Sequence, residues 1–235
     1  MILAYSKLNL RMEFIENTVN VLVLEDPVQF SEIVYLLKSD EKVLESPFVL
    51  SESDKFLQIS KEMEIIVDPF SLDFNSRKIQ QQLYKEMEIV ATEFDVEKAE
   101  VNGRMLYLIE GIQERLQYQN IAYNLEFSWE NLLKLYQVHF EPLCESLLEK
   151  LVEYIKIASN LLNLKVIGFV NLKLYLTKEQ LHYLYEIAFY NKVNLLLIEN
   201  IENTQLEEEK LYIVDRDKCI IVKKKYIVMM LGENI

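Results

Sequence analysis

The sequence predicts an α/β protein: a sheet-containing head built from both chain ends, with an extended α-helical leg inserted between them. Three observations carry this. Lys165–Asn200 reads as strand, helix, strand, because Val166, Ile167, Phe169, Val170 and then Leu195–Ile198 are apolar runs suited to buried parallel strands. Asn20–Lys38 repeats the strand-then-helix half of that pattern near the N-terminus. Between them, residues 76–162 contain helical stripes and no good strand. The predicted division is therefore residues 1–75 with 163–235 as the head and 76–162 as the leg.

Taken in order, Met1–Asn9 alternates polar and apolar residues and suggests an edge strand or ribbon. Asn20–Glu25 is a stronger strand and ends at Asp26-Pro27. Aspartate suits an N-cap there and proline the first helical position. Phe30, Ile33, Val34 and Leu37 then mark an amphipathic helix over Pro27–Lys38. Phe48–Leu50, Lys55–Ile59 and Met63–Val67 read as short strands, and Asp68-Pro69 ends them. In the leg, one stripe runs through Ile79, Leu83, Met87 and Val90 and another through Met105, Leu108, Ile109, Ile112 and Leu116. Ser128 can cap a helix carrying Leu132, Leu135 and Tyr136, which His139–Pro142 interrupts. Leu147, Leu151, Ile155, Ala158 and Leu162 form the last stripe. In the central strand–helix–strand unit, Thr177 and Gln180 have capping-box spacing, and Leu181, Leu184, Tyr185 and Ala188 share one face. Leu211–Val214 and Cys219–Val222 then flank a turn as a hairpin, and the tail from Lys223 either extends the last strand or places Tyr226–Leu231 on a partner.

Composition narrows the function classes. An apolar fraction of 51% is ample for a core. No run reaches the roughly 18–20 apolar residues of a membrane span, and the alternating N-terminus is unlike a signal peptide. Cys144 and Cys219 give neither a disulfide framework nor a zinc pattern and read as buried thiols. A cytoplasmic, soluble protein is expected. The net charge of −13 argues against a surface coated by nucleic acid, yet residues 163–235 carry ten basic and ten acidic side chains and are neutral.

Catalytic patterns are missing. The four glycines, Gly103, Gly111, Gly168 and Gly232, are dispersed, so no phosphate-cradling loop can be written and no nucleotide is expected. Where such a loop would follow the first strong strand, Glu25 and Asp26 place two carboxylates and Pro27 removes an N–H. His139 and His182 lie beside no serine or cysteine motif and read as solvated. Glu110, Glu114, Glu126 and Glu130 share one helical region. As oxygen-only ligands they would suit Ca²⁺ or Mg²⁺, and as a bland alternative they form a solvated face. The nucleic-acid candidates are Lys7, Arg11, Arg77, Lys78, Lys173, Lys178, Lys192 and Lys223–Lys225. Their scatter, and the lack of any helix-turn-helix or RNA-binding aromatic signature, allows salt-dependent backbone contact and disfavours base readout.

Four blocks in one order carry a resemblance: LVLEDPVQFSEIV (Leu22–Val34), IIVDPFSLDFNSRKI (Ile65–Ile79), FVNLKLYLTKEQLHYLYEIAFYNKVNLLLIE (Phe169–Glu199) and LYIVDRDKCII (Leu211–Ile221). Together they resemble the CRISPR-associated accessory protein of spacer acquisition found in type II-A systems. That resemblance implies an ATPase-like head without a nucleotide site and a helical leg. It further implies a homotetrameric ring whose basic hole threads double-stranded DNA ends without sequence preference. No enzymatic activity is implied, and the implied partners are the CRISPR integrase pair and the RNA-guided effector nuclease. Short relatives bind calcium through an acidic cluster opening the long leg helix. Only Glu126 and Glu130 stand in the matching stretch here, and that loss of charge weakens any such site. A ring acidic outside and basic within would reconcile the net charge with DNA. The competing readings are a protein–protein scaffold of the adaptation complex with incidental DNA contact and, further off, a metal-dependent nuclease or degenerate ATPase.

Overall fold

The computed structural model describes residues 1–39, 46–53, 55–118 and 120–224. The predicted docking or strand extension of the tail beyond Lys224 lies outside them. The chain divides into two units, Met1–Leu72 with Pro142–Ile235, and Asp73–Glu141.

The larger unit begins with β1 (Ile2–Tyr5), β2 (Leu10–Glu13) and β3 (Val19–Leu24). Helix α1 (Pro27–Lys38) follows, then β4 (Phe48–Glu52), β5 (Lys55–Leu57), the single turn α2 (Ile59–Glu62) and β6 (Met63–Ile66). The smaller unit supplies α3 (Arg77–Ala91), α4 (Asp95–Gln113) and α5 (Trp129–Leu135). The chain returns to the larger unit through α6 (Leu147–Asn160), β7 (Val166–Val170), α7 (Lys178–Tyr190), β8 (Asn194–Glu199), β9 (Glu209–Val214) and β10 (Ile220–Lys224).

Six strands form a mixed sheet in the order β10-β9-β3-β8-β7-β6. All pairs are parallel except β10 with β9. Strands from the N-terminal part (β3, β6) interleave with those from the C-terminal part, so neither end of the chain forms this sheet alone. Every residue of β3 and β7 is buried, as expected for strands covered on both faces. One face carries Leu22, Leu24, Val166, Val170, Leu196, Ile198, Tyr212 and Val214, packed with α1 through Ile33 and Leu37. The same core takes in Leu3, Tyr5, Leu10, Met12, Phe48 and Leu50 from a second, antiparallel sheet of order β2-β1-β4-β5. On the other face α7 packs on β8 and against α6.

Local chemistry sets the helix starts. Asp26 accepts a hydrogen bond from the Val28 N–H at 3.1 Å ahead of Pro27, and so caps α1. Thr177 Oγ1 accepts from the Gln180 N–H and Gln180 Oε1 from the Thr177 N–H, closing the capping box of α7.

Three expectations are corrected. β1 is an inner strand, paired with both β2 and β4. The strand begun at Lys55 ends at Leu57, and Ile59 opens α2 instead of continuing it. Residues 142–162 belong with the larger unit, because α6 buries Leu151, Val152, Tyr154, Ile155, Ile157 and Ala158 there. Tyr154 Oη donates to Glu64 Oε1 at 2.7 Å, tying the helix to β6. A helical stripe reports that a face is buried and not which unit buries it.

Candidate nucleic-acid interface

The exit of β3 is where an α/β protein would hold a phosphate against a helix N-terminus. Here the first free N–H of α1, that of Val28, is bound by the Asp26 carboxylate, and Glu25 adds a second acid. That electrostatic environment suits no anion.

Seven of the basic candidates fall into three groups. Arg11 on β2, Lys178 at the first position of α7 and Lys192 just past its end are exposed and stand outside any ion pair among the described residues. Lys178 and Lys192 flank a helix of 13 residues, so about 20 Å separates them. Arg77 and Lys78 lie together, exposed, in the first turn of α3 in the smaller unit. Lys7 and Lys223 carry acidic partners, Glu32 at 2.5 Å and Glu202 at 2.7 Å. Both pairs are solvent-exposed and weak enough to exchange partners. The carboxylate of Glu32 also holds the Lys7 ammonium above its ordinary pKa.

Lys173 is corrected outright. Its side chain is 4% exposed, and Nζ lies 2.8 Å from Glu209 Oε2, itself wholly buried. Tyr185 Oη donates to Glu209 Oε1 at 2.7 Å, and the Leu206 N–H donates to Oε2. The Lys173 N–H donates to Glu199 Oε1 at 3.2 Å. This is an interior charge network beneath α7, and its ammonium is closed to a phosphate. Burial dominates its electrostatics. Desolvation pushes the Glu199 carboxyl up to about 7, against the pull of the Lys173 and Leu172 N–H groups and the Lys173 charge. Burial, then Glu209, holds the Tyr185 phenol well above its usual range. A single lysine code carries no signal that separates this residue from Lys178, five positions on.

The acidic candidates do not assemble. Glu130 pairs with Lys134 at 2.6 Å, Glu110 accepts from Tyr123 Oη, and Glu126 is exposed in the loop before α5. Among the described residues no three His, Cys, Asp or Glu side chains come together to hold a metal ion. A donor pair already half-committed to a lysine does not fit calcium, which takes six to eight oxygens. His139 and His182 are exposed, and His182 Nδ1 lies 2.5 Å from Glu208. Neither cysteine is buried: Cys144 is half-buried and Cys219 exposed in the β9–β10 turn, where apolar neighbours in sequence misled.

In the smaller unit, helices α3, α4 and α5 border an apolar cavity of about 570 Å³ lined by Leu83, Met87, Val90, Phe94, Val101 and Trp129. Along all 19 residues of α4 nothing is buried, although Val96, Leu108 and Ile112 are 73%, 58% and 62% exposed. An apolar surface of this extent is uncommon on a monomer.

These features define an α/β protein with an inserted, apolar-surfaced helical unit and no phosphate loop. A family model described as CRISPR-associated protein (Cas_Csn2) matches residues 38–218, and the chain belongs to that family, with its role in CRISPR adaptation. It is 24% identical over 220 residues to the CRISPR-associated protein Csn2 of Streptococcus agalactiae, covering 86% of this chain and 96% of that relative. It also has a slight likeness to the solved structure of a putative ABC transporter ATP-binding protein from Pyrococcus furiosus. The TM-score is 0.38 at 9% identity, over 86% of this chain and 88% of that one, too low to carry an argument. Among the described residues no helix is long and apolar enough to cross a membrane.

Proposed function

We propose that the chain is a non-enzymatic, sequence-independent binder of double-stranded DNA ends, acting as a homotetrameric ring during CRISPR spacer acquisition. The pairing pattern of the cations carries this reading. With 38 acidic and 25 basic side chains, acids are available in excess. Arg11, Arg77, Lys78, Lys178 and Lys192 nonetheless remain exposed and outside any ion pair among the described residues. Cations left free in an acidic protein suit an external polyanion contacted through its backbone. The uncovered length of α4 supports assembly, since a second copy would bury it. The CRISPR integrase pair and the RNA-guided effector nuclease are the further partners of this reading. The second reading, a scaffold of the adaptation complex, draws on the same apolar helix.

Light scattering with a gel shift on linear and closed circular duplex tests the proposal. The expected result is the mass of four chains, with a shift of linear DNA alone that weakens steeply with salt. A monomer, or equal binding to circles, overturns the ring. No binding to either form leaves the scaffold.

A further inference from the structure

The β9–β10 hairpin concentrates positive charge in a chain that is otherwise acidic. Residues 210–224 hold five basic side chains and two acidic ones. Its open end has an unusual register: Lys224 on β10 stands directly opposite Lys210 on β9. Facing residues in a sheet have Cβ atoms about 5 Å apart, and like charges there are destabilising. Neither ammonium is relieved by an acid, since neither lysine takes part in an ion pair among the described residues. Two acids next in sequence to Lys210 are committed elsewhere. Glu209 is locked to Lys173 and Tyr185 beneath α7, and Glu208 meets His182. Lys223, on the opposite face of the strand from Lys224, has its own acid in Glu202. Lys210 Nζ is instead held 5.0 Å over the Tyr212 ring, an arrangement that fixes the cation without neutralising it. Strand β10 is the edge of the six-stranded sheet, and its last four residues are exposed. Lysines on an edge also discourage strand pairing. That accounts for one charge on β10 and not for two that face each other.

We propose that Lys210 and Lys224 form a contact for the phosphate backbone of duplex DNA, two ammonium groups on one face of the sheet edge converging on the phosphate oxygens. This rests on the DNA-binding reading and adds residues to it: Lys210 with its opposed partner, where Lys173 cannot serve.

The test uses the full chain and a short linear duplex, followed by anisotropy between low and moderate salt. For Lys210→Gln/Lys224→Gln, the slope of log Kd against log salt is expected to fall by about 2, at roughly 0.9 for each phosphate no longer neutralised. Affinity at low salt should drop at least about tenfold. Lys224→Glu keeps the edge charged and turns the repulsive pair into an attractive one. It is expected to raise the melting temperature of the free protein at low salt while weakening DNA binding as the double variant does. If the wild type binds duplex and the variants bind equally, or weaken with an unchanged slope, this phosphate site is wrong and the wider reading stands. If the wild type binds no duplex, both fall.

Discussion

Glu199 and Lys173 occupy the last residue of a central strand and the turn after its neighbour, and both have lost their water. Glu199 is 1% exposed, and its carboxyl titrates near 7 instead of in the ordinary range around 4.5 because burial disfavours its charge. A carboxyl raised in this way contributes stability that is complete below its unfolded pKa and is lost as pH rises through its folded one. The window therefore runs from about 4.5 to about 7, and the loss is on the order of 3 kcal/mol. Glu199→Gln keeps an acceptor for the Lys173 N–H and removes the titration. Urea midpoints are expected to separate from the wild type as pH rises from 5 to 8, with the variant increasingly the more stable. Parallel midpoints across that range would mean that Glu199 is ionised in the fold throughout. Lys173 faces the opposite constraint. Removing its ammonium would strand the buried Glu209 carboxylate, so a charge reversal there reports on folding and not on DNA.

At the scale of elements, α4 and α7 both carry many apolar residues and have opposite fates. Helix α7 buries Leu181, Leu184, Tyr185 and Ala188 in one stripe, whereas α4 buries nothing. A helix that hides no side chain in its own chain gains little from packing, and packing is the main source of helix stability in proteins. In the proposed ring a second copy would supply its cover. If the chain assembles as the proposed ring, replacing Leu108 and Ile112 together by glutamate is expected to lower the solution mass below that of four chains while far-UV dichroism stays unchanged. An unaltered mass would remove α4 from the assembly interface. The hairpin of β9 and β10 is the other element proposed to act outside the fold, since its open end opposes two lysines with no acid paired to them among the described residues.

For the whole molecule, the net charge of −13 sets the balance that any DNA contact must overcome. Acidic excess lets the exposed pairs at Lys7 and Lys223 form, while Arg11, Lys178 and Lys192 stay outside any ion pair among the described residues. It does not by itself create a cation site, because Glu126 and Glu130 gain no third acidic ligand among the described residues. The affinity for linear duplex is therefore expected to be the same in excess Ca²⁺ and in excess chelator. A Kd that falls on adding Ca²⁺, with the mass unchanged, would restore an acidic cluster to the site.

Periodicity and turn chemistry are local, and what they determine was legible in the residues. The strands Asn20–Glu25 and Val166–Val170, the Asp26-Pro27 start of α1, the Thr177–Gln180 box and the hairpin around Asp215–Lys218 all follow from neighbours a few positions apart. So does the missing glycine loop, and the four ordered blocks carried the family resemblance. Tertiary structure alone decided which cations are available. Lys173 and Lys178 read alike in sequence, yet one is sealed against Glu209 and the other lies in solvent, because the turn after β7 folds beneath α7. It also assigned α6 to the larger unit and brought Lys210 opposite Lys224. Burial and partnership depend on residues distant in the chain, and desolvation, which governs charge, is set by them.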